Sequence, residues 1–209
     1  GFDLNAAAAE GVGAANSPHG DTQSFQRAAG YWRRVMQTRK PVIAAVHGYC
    51  LAAGTEVVVH SDFAIAADDA QFGEPEIRFS TAGPAIVMPW LVGYKKAREL
   101  LYFGDSIDAP TALDLGLVNR VVPAGDLAAA ALKYAKRLSL ISPEALTATK
   151  LAVNRGADAA GFRNALNAGL DIVSPLYATK TEMGAKFQEI KAREGLGAAL
   201  RWRGAQFKE

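Results

Sequence analysis

Side chains able to move protons or attack a carbonyl concentrate in one stretch, Lys40 to Phe79, which holds Glu56, Glu74, Glu76, Cys50, His47 and His60. Carboxylates are the most versatile of these. One can take a proton from water while another gives one to carbon, and burial can set their pKa values apart. Each residue also has a plainer reading. Glu56 falls in a first helical turn, where an acid complements the helix dipole; Glu76 follows Pro75 after Phe72-Gly73, a loop pattern. Glu74 reads as a solvated neighbour of Glu76. Cys50 sits at an apolar strand end with no base motif beside it, so it reads as a small buried hydrophobe rather than a nucleophile. His47 and His60 read as structural, and no His/Cys/Asp spacing suggests a metal.

These residues need rigid supports. PVIAAVHG (41–48) is an apolar run started by Pro41 and stopped by Gly48, and DFAIAA (62–67) is another. Short runs of this kind suit strands buried on both faces. Residues 53–60 between them suffice for a short helix, opened by the small residues Ala52-Ala53-Gly54. Strand, helix and strand imply a parallel, right-handed crossover. Upstream, Asp21 is an N-cap for an amphipathic helix carrying Phe25, Ala28, Ala29, Trp32, Val35 and Met36. Tyr31 and Trp32 on that helix read as packing residues. Residues 5–20 are rich in Ala, Gly, Asn and Ser without a period, which reads as a loop and a candidate mobile lid. After Gly93 helices are predicted over 94–103, 109–115, 127–138 and 143–154, with more helix towards the C-terminus. LVNRVVP (117–123) is the one late strand.

Length and composition narrow the function classes. At 209 residues, half of them hydrophobic, the chain predicts one well-filled core rather than two large domains. A net charge of +2 lacks the clustered positive balance of a nucleic-acid binder. No apolar tract is long enough to span a membrane. A single cysteine rules out an intrachain disulfide and fits a reducing, cytoplasmic or matrix setting. The chain opens at Gly1 without Met or a leader pattern, so an earlier start is expected.

The stretch KPVIAAVHGYCLAAGTEVVVHSDFAIAADDAQFGEPEIRF resembles the signature of the enoyl-CoA hydratase/isomerase (crotonase) family. His47-Gly48-Tyr49, Leu51-Ala52-Ala53-Gly54, Glu56, Ser61-Asp62 and Phe72-Gly73-Glu74-Pro75-Glu76 match it in one register. The opening GFDL is similar to the tail of the family's first oxyanion motif, and residues 99–123 to its later Gly-Leu-Val-Asn stretch. The resemblance implies an α/β, crotonase-like spiral of ββα units. Residues 1–123 would form a partial core that begins inside that oxyanion motif, with N-terminal elements missing, and 124–209 a helical C-terminal trimerisation region.

What the resemblance implies for chemistry is equally specific. Addition to an enoyl thioester passes through an enolate, whose oxygen must be met by fixed donors. The family resemblance assigns one donor to the Ala53 amide, at a helix start where N–H groups are unpaired and the dipole favours an anion; the other belongs to the residue before Gly1. Glu56 and Glu76 are the implied catalytic pair, and keeping both favours hydration over isomerisation. Phe2, Leu4, Gly54 and Arg203 are the implied coenzyme A contacts, with coenzyme A entering as part of the substrate and no separate cofactor. A homotrimer or pair of trimers is implied. Two departures stand out. The tail has Ala199 and Trp202 where an aromatic and a Lys are common. STAGPAIVMPWL (80–91) lacks the family's paired glycines at the acyl end of the pocket, so a bulkier or cyclic acyl group is conceivable. Competing readings are a double-bond isomerase, a ring-opening hydrolase, or a non-catalytic acyl-CoA-binding paralogue.

Overall fold

The computed structural model describes residues 18–83, 85–179 and 181–207. Phe2, Leu4 and the alanine-rich part of the expected lid lie outside the described residues. The first helix, α1, runs Pro18–Gln37. It starts three residues before the expected Asp21 cap, with proline preset for a helical first turn. Ala29 and Trp32 on it are buried, and Met36 packs against the core.

The expected crossover is present, with more strands than the sequence suggested. Strand β1 (Ile43–Val46) bends at Gly48 into β2 (Tyr49–Leu51), followed by α2 (Ala53–His60), β3 (Phe63–Ala67) and β4 (Gln71–Gly73). β1 and β3 are parallel, Ile43 opposite Phe63, and β6 (Arg120–Val122) adds to the far side of β3 with Ile65 opposite Arg120. A second sheet has the order β2-β4-β5, where β5 is Ile107–Asp108, antiparallel to β4. Each strand pair thus crosses from one sheet to the other before its helix or turn, the repeating ββα step of a crotonase-like spiral. Gly48 makes the first crossing at φ 56, a left-handed value that few L-residues adopt. Its carbonyl accepts from Gln71 N at 2.8 Å, which locks the first bend against the second.

The run 41–48 was expected to be one strand buried on both faces, and this is corrected. The strand is four residues long with Ala45 exposed, and β1 has a single neighbour among the described residues. The central strand β3 fits the expectation better: Ala64, Ile65, Ala66 and Ala67 are all buried. Its small side chains let helices close on both faces. On one side α6 (Leu127–Leu138) lays Leu127, Ala130 and Tyr134 against Ile43, Ile65 and Val122. On the other, Val46, Val58, Val59, Phe72 and Leu166 form the main core. Burying an Ile or Phe side chain there contributes about 1.5–3 kcal/mol.

A short helix not expected from the sequence, α3 (Pro89–Val92), ends at Gly93, and the late strand and the expected helices follow: α4 (Tyr94–Phe103), α5 (Ala109–Asp114), α7 (Pro143–Ala159), α8 (Phe162–Val173), α9 (Glu182–Glu194) and α10 (Leu196–Ala205). α7 is pinned to the core by a buried cation. Lys150 Nζ donates to Asp62 Oδ2 at 2.6 Å and to the Val35 and Lys40 carbonyls at 3.2 Å. Asp62 Oδ2 also accepts from Val42 N at 2.7 Å, so one side chain ties α7 to the exit of α1 and the entry of β1 and β3.

Candidate active site

The helix carrying Glu56 begins at an unusual residue. Ala52 has φ 56 and ψ −126, a conformation suited to glycine, and is one of two non-glycine residues with positive φ among those described. The turn is held because Ala52 N donates to Gly73 O at 2.9 Å, and Thr55 Oγ1 donates to Cys50 O at 2.7 Å and Gly73 O at 3.1 Å. The resemblance assigns the oxyanion donor to Ala53; the strained backbone lies one residue earlier. Beyond this turn, the amides of Ala53 and Gly54 donate to no acceptor among the described residues. They are free first-turn donors at the positive end of a helix dipole.

One turn in, Glu56 is fully buried and neither carboxyl oxygen has a hydrogen-bond partner among the described residues. Burial pushes its pKa up to about 8, and the neighbouring Glu76 charge adds to the rise. His60, one turn further, is 3% exposed and donates from Nδ1 to the Glu56 carbonyl at 2.8 Å, since a carbonyl can only accept. Its ring stacks on Trp32, centroids 6.2 Å apart, and meets the Phe162 edge. Burial lowers the His60 pKa. The 3.6 Å approach of Nδ1 to Glu56 Oε2 is therefore a contact between groups that both favour neutrality, not an ion pair. His60 acts as packing and support for α2, the structural part expected of it.

Glu76 stands on the short 3-10 turn Pro75–Phe79 that follows β4. It is half-buried, its Oε2 has no partner among the described residues, and desolvation raises its pKa. Between these two acids lies a third. Glu74 is 1% exposed, with both carboxyl oxygens unpartnered by any cation or amide among the described residues and its pKa raised well above the usual carboxylate range by burial and then by the Glu76 and Glu56 charges. The expectation of a solvated Glu74 is wrong, and strand alternation explains why. Phe72 points into the core from β4, and a residue two further along shares that face. Recognising β4 would have placed Glu74 inside.

Residues 81–83 close over the acids. Thr81 Oγ1 donates to the Glu76 carbonyl at 3.0 Å, and Tyr177 Oη donates to Ala82 O at 3.3 Å. Gly83 is buried, and a Cβ there would stand 3.2 Å from Glu76 Cδ. Cys50 is buried in the middle of β2, and desolvation raises its thiol to about 11, the inert state expected of it.

The structure brings Glu56, Glu76 and the Ala53 and Gly54 amides into one region. The Arg203 guanidinium is buried, donates to the Arg78 carbonyl and lies 4.7 Å from the Phe207 ring. Arg203 thereby clips α10 to the main chain two residues beyond Glu76. A separate cavity of about 310 Å³ opens between α1 and α7, lined by Arg33, Arg39, Asn154 and Arg155 among others, and none of the three acids lines it. Among the described residues no group of His, Cys, Asp and Glu could hold a metal ion, and no helix is long and apolar enough to cross a membrane.

A family model described as enoyl-CoA hydratase/isomerase matches residues 1–194. The chain is 37% identical over 179 residues to a probable enoyl-CoA hydratase of Mycobacterium tuberculosis, covering 84% of this chain and 65% of that protein. It is 34% identical to a crotonyl-CoA hydratase of Syntrophomonas wolfei, with the same two coverages. The chain thus spans just under two thirds of the length of these curated relatives. Among solved structures, an enoyl-CoA hydratase/isomerase from Xanthobacter autotrophicus Py2 superposes with a TM-score of 0.91 at 34% identity, over 100% of this chain and 77% of that one. An enoyl-CoA hydratase from Mycobacterium smegmatis gives 0.84 at 27% identity, over 97% and 72%.

Proposed function

This chain belongs to the enoyl-CoA hydratase/isomerase family, and from that premise we propose that it acts as an enoyl-CoA hydratase-like enzyme, adding water across the double bond of a 2-enoyl-CoA thioester. The observation that carries the reading is the convergence of Glu56 and Glu76. They come from different elements, yet each is withdrawn from water and close enough for the charge on one to raise the pKa of the other.

The chemistry follows from what hydration requires. The water oxygen bonds to the β-carbon as the π pair of the double bond moves into the thioester, and one carboxylate takes the proton that water loses. Negative charge now sits on the thioester oxygen, where the Ala53 amide supports it from the start of α2; one such donor is worth about 2.7–4 kcal/mol. The enolate then collapses as the other carboxyl gives a proton to the α-carbon. Protons balance, and the product is a 3-hydroxyacyl-CoA. Burial that keeps one acid protonated and lets the other ionise suits this division. Coenzyme A contacts through Phe2, Leu4 and Gly54, and assembly as a trimer or pair of trimers, belong to the same reading.

Turnover of crotonyl-CoA, followed by loss of the conjugated thioester absorbance and product mass, is the direct test. Glu56→Gln and Glu76→Gln should each lower kcat by about two orders of magnitude or more. Near-parental rates in either variant would remove that residue from the mechanism. Including β,γ-enoyl and β-keto thioesters separates hydration from double-bond movement and from ring or chain cleavage. A monomer by light scattering would overturn the assembly.

A further inference from the structure

Three buried carboxyls are one more than the proposed reaction uses. Glu74 is as buried as Glu56, more so than Glu76, and no cation among the described residues faces it. The nearest guanidinium on its own segment, Arg78, donates to the Phe103 carbonyl and to Asp105, and Arg203 is spent on the Arg78 carbonyl. Among the described residues, the titratable groups that face Glu74 are Glu76 on the same turn, Glu56 on α2, Cys50 on β2 and Tyr177 on the turn after α8. All are acids, so an ionised Glu74 would be an unsolvated charge beside other potential anions, the arrangement proteins avoid by keeping a proton.

A proton on Glu74 needs an acceptor, and the neighbouring carboxyl is that of Glu76: a Cβ at Gly83 would meet both, overlapping Glu74 Oε2 and standing 3.4 Å from Glu76 Oε1. With both groups ionised neither could donate to the other; with one protonated they bond. Glu76 is the better anion of the two because it is less buried and also has its own backbone amide as a donor. Resting on the hydratase reading of this site, we propose that Glu74 is a positioning residue that stays protonated and donates its hydroxyl hydrogen to Glu76, fixing that carboxylate's rotamer and keeping it ionised in the free enzyme. Gly83 completes the device. Its missing side chain leaves the space in which the Glu74 carboxyl lies, so main chain seals the pair from solvent.

The two neutral replacements of Glu74 separate this role from others. Glu74→Gln keeps an N–H donor of the same reach; Glu74→Leu keeps the volume and removes the donor. On crotonyl-CoA, Glu74→Gln should stay within about threefold of the parent in kcat/KM with an unchanged acid limb. Glu74→Leu should lose about ten- to a hundredfold, mainly in kcat, with the acid limb moved up by about one pH unit as Glu76 loses its donor. Equal damage in both variants, or an unmoved acid limb in Glu74→Leu, would overturn the proposal. Infrared spectra supply a readout independent of turnover. The difference between parent and Glu74→Gln at neutral pH should contain a protonated carboxylic acid C=O band, and a lost carboxylate band instead would equally sink it. Should the parent turn over no thioester, the hydratase reading fails while the infrared result still decides the state of Glu74.

Discussion

Gly83 faces Glu74 so closely that a Cβ at position 83 would overlap Glu74 Oε2. The Glu76 carboxyl is crowded as well, since its Cδ would stand 3.2 Å from the new methyl group. Gly83→Ala should therefore disturb both acids while adding one carbon atom. Overpacking of this kind costs about 1–3 kcal/mol. The expected outcome is a lower urea midpoint together with a fall of at least tenfold in kcat on crotonyl-CoA; parental values of both would show that the loop 81–83 yields freely.

The three buried acids also set how stability responds to pH. Glu56, Glu74 and Glu76 all have folded pKa values above those of an unfolded chain, Glu56 at about 8. The native state therefore holds protons more tightly than the unfolded state, and their contribution is fully present below the unfolded carboxylate pKa. It is lost as pH rises through the folded values, towards pH 8. Thermal melts from pH 5 to pH 8.5 should show a falling Tm, and Glu56→Gln should flatten the slope. A Tm that rises across this window would contradict the burial of these groups.

These relationships were unevenly legible in the sequence. The parallel pair β1 and β3 could be read because Pro41 and Gly48 bracket one apolar run and Asp62 opens the other. The second sheet could not, because β2 and β4 are three residues long and β5 only two, too short for any alternation to register. Tyr49, at the head of β2, is 84% exposed and gives no burial pattern either. Missing β4 is what hid Glu74: its place on the Phe72 face depends on knowing that a strand ends there. Glu56 and Glu76 stood out through the family signature, whereas their proximity depends on β2 and β4 pairing in parallel, Leu51 opposite Gly73.

Ala52 carries a backbone that glycine would carry more easily. Left-handed or mirror-region φ costs an L-residue about 1–2 kcal/mol, and glycine gives back about 0.5–1 kcal/mol through the unfolded chain. Ala52→Gly should thus be at least as stable as the parent, whereas Ala52→Val, with a branched Cβ at φ 56, should be less stable by about 2 kcal/mol or more. Chemical denaturation of the three proteins checks the order. A Val variant as stable as the parent would mean that the turn rearranges, which should then appear as lost activity through the Ala53 amide.

Lys150 offers the largest single effect on stability away from the acids. Its ammonium is 6% exposed and its partner Asp62 21% exposed, and the pair joins α7 to the start of β3. Replacing Lys150 by Met removes the cation and leaves Asp62 with the Val42 amide as its remaining donor, while the Val35 and Lys40 carbonyls each lose one. Breaking one side of a buried pair costs about 3–5 kcal/mol. In a chain of this length that lowers Tm by about 6–20 °C. Adding Asp62→Asn should recover part of the loss, because an amide no longer needs a counter-charge and its oxygen can still accept from Val42. A double variant less stable than Lys150→Met alone would mean that the hydrogen bonds of Asp62, rather than its charge, hold α7 and β3 together.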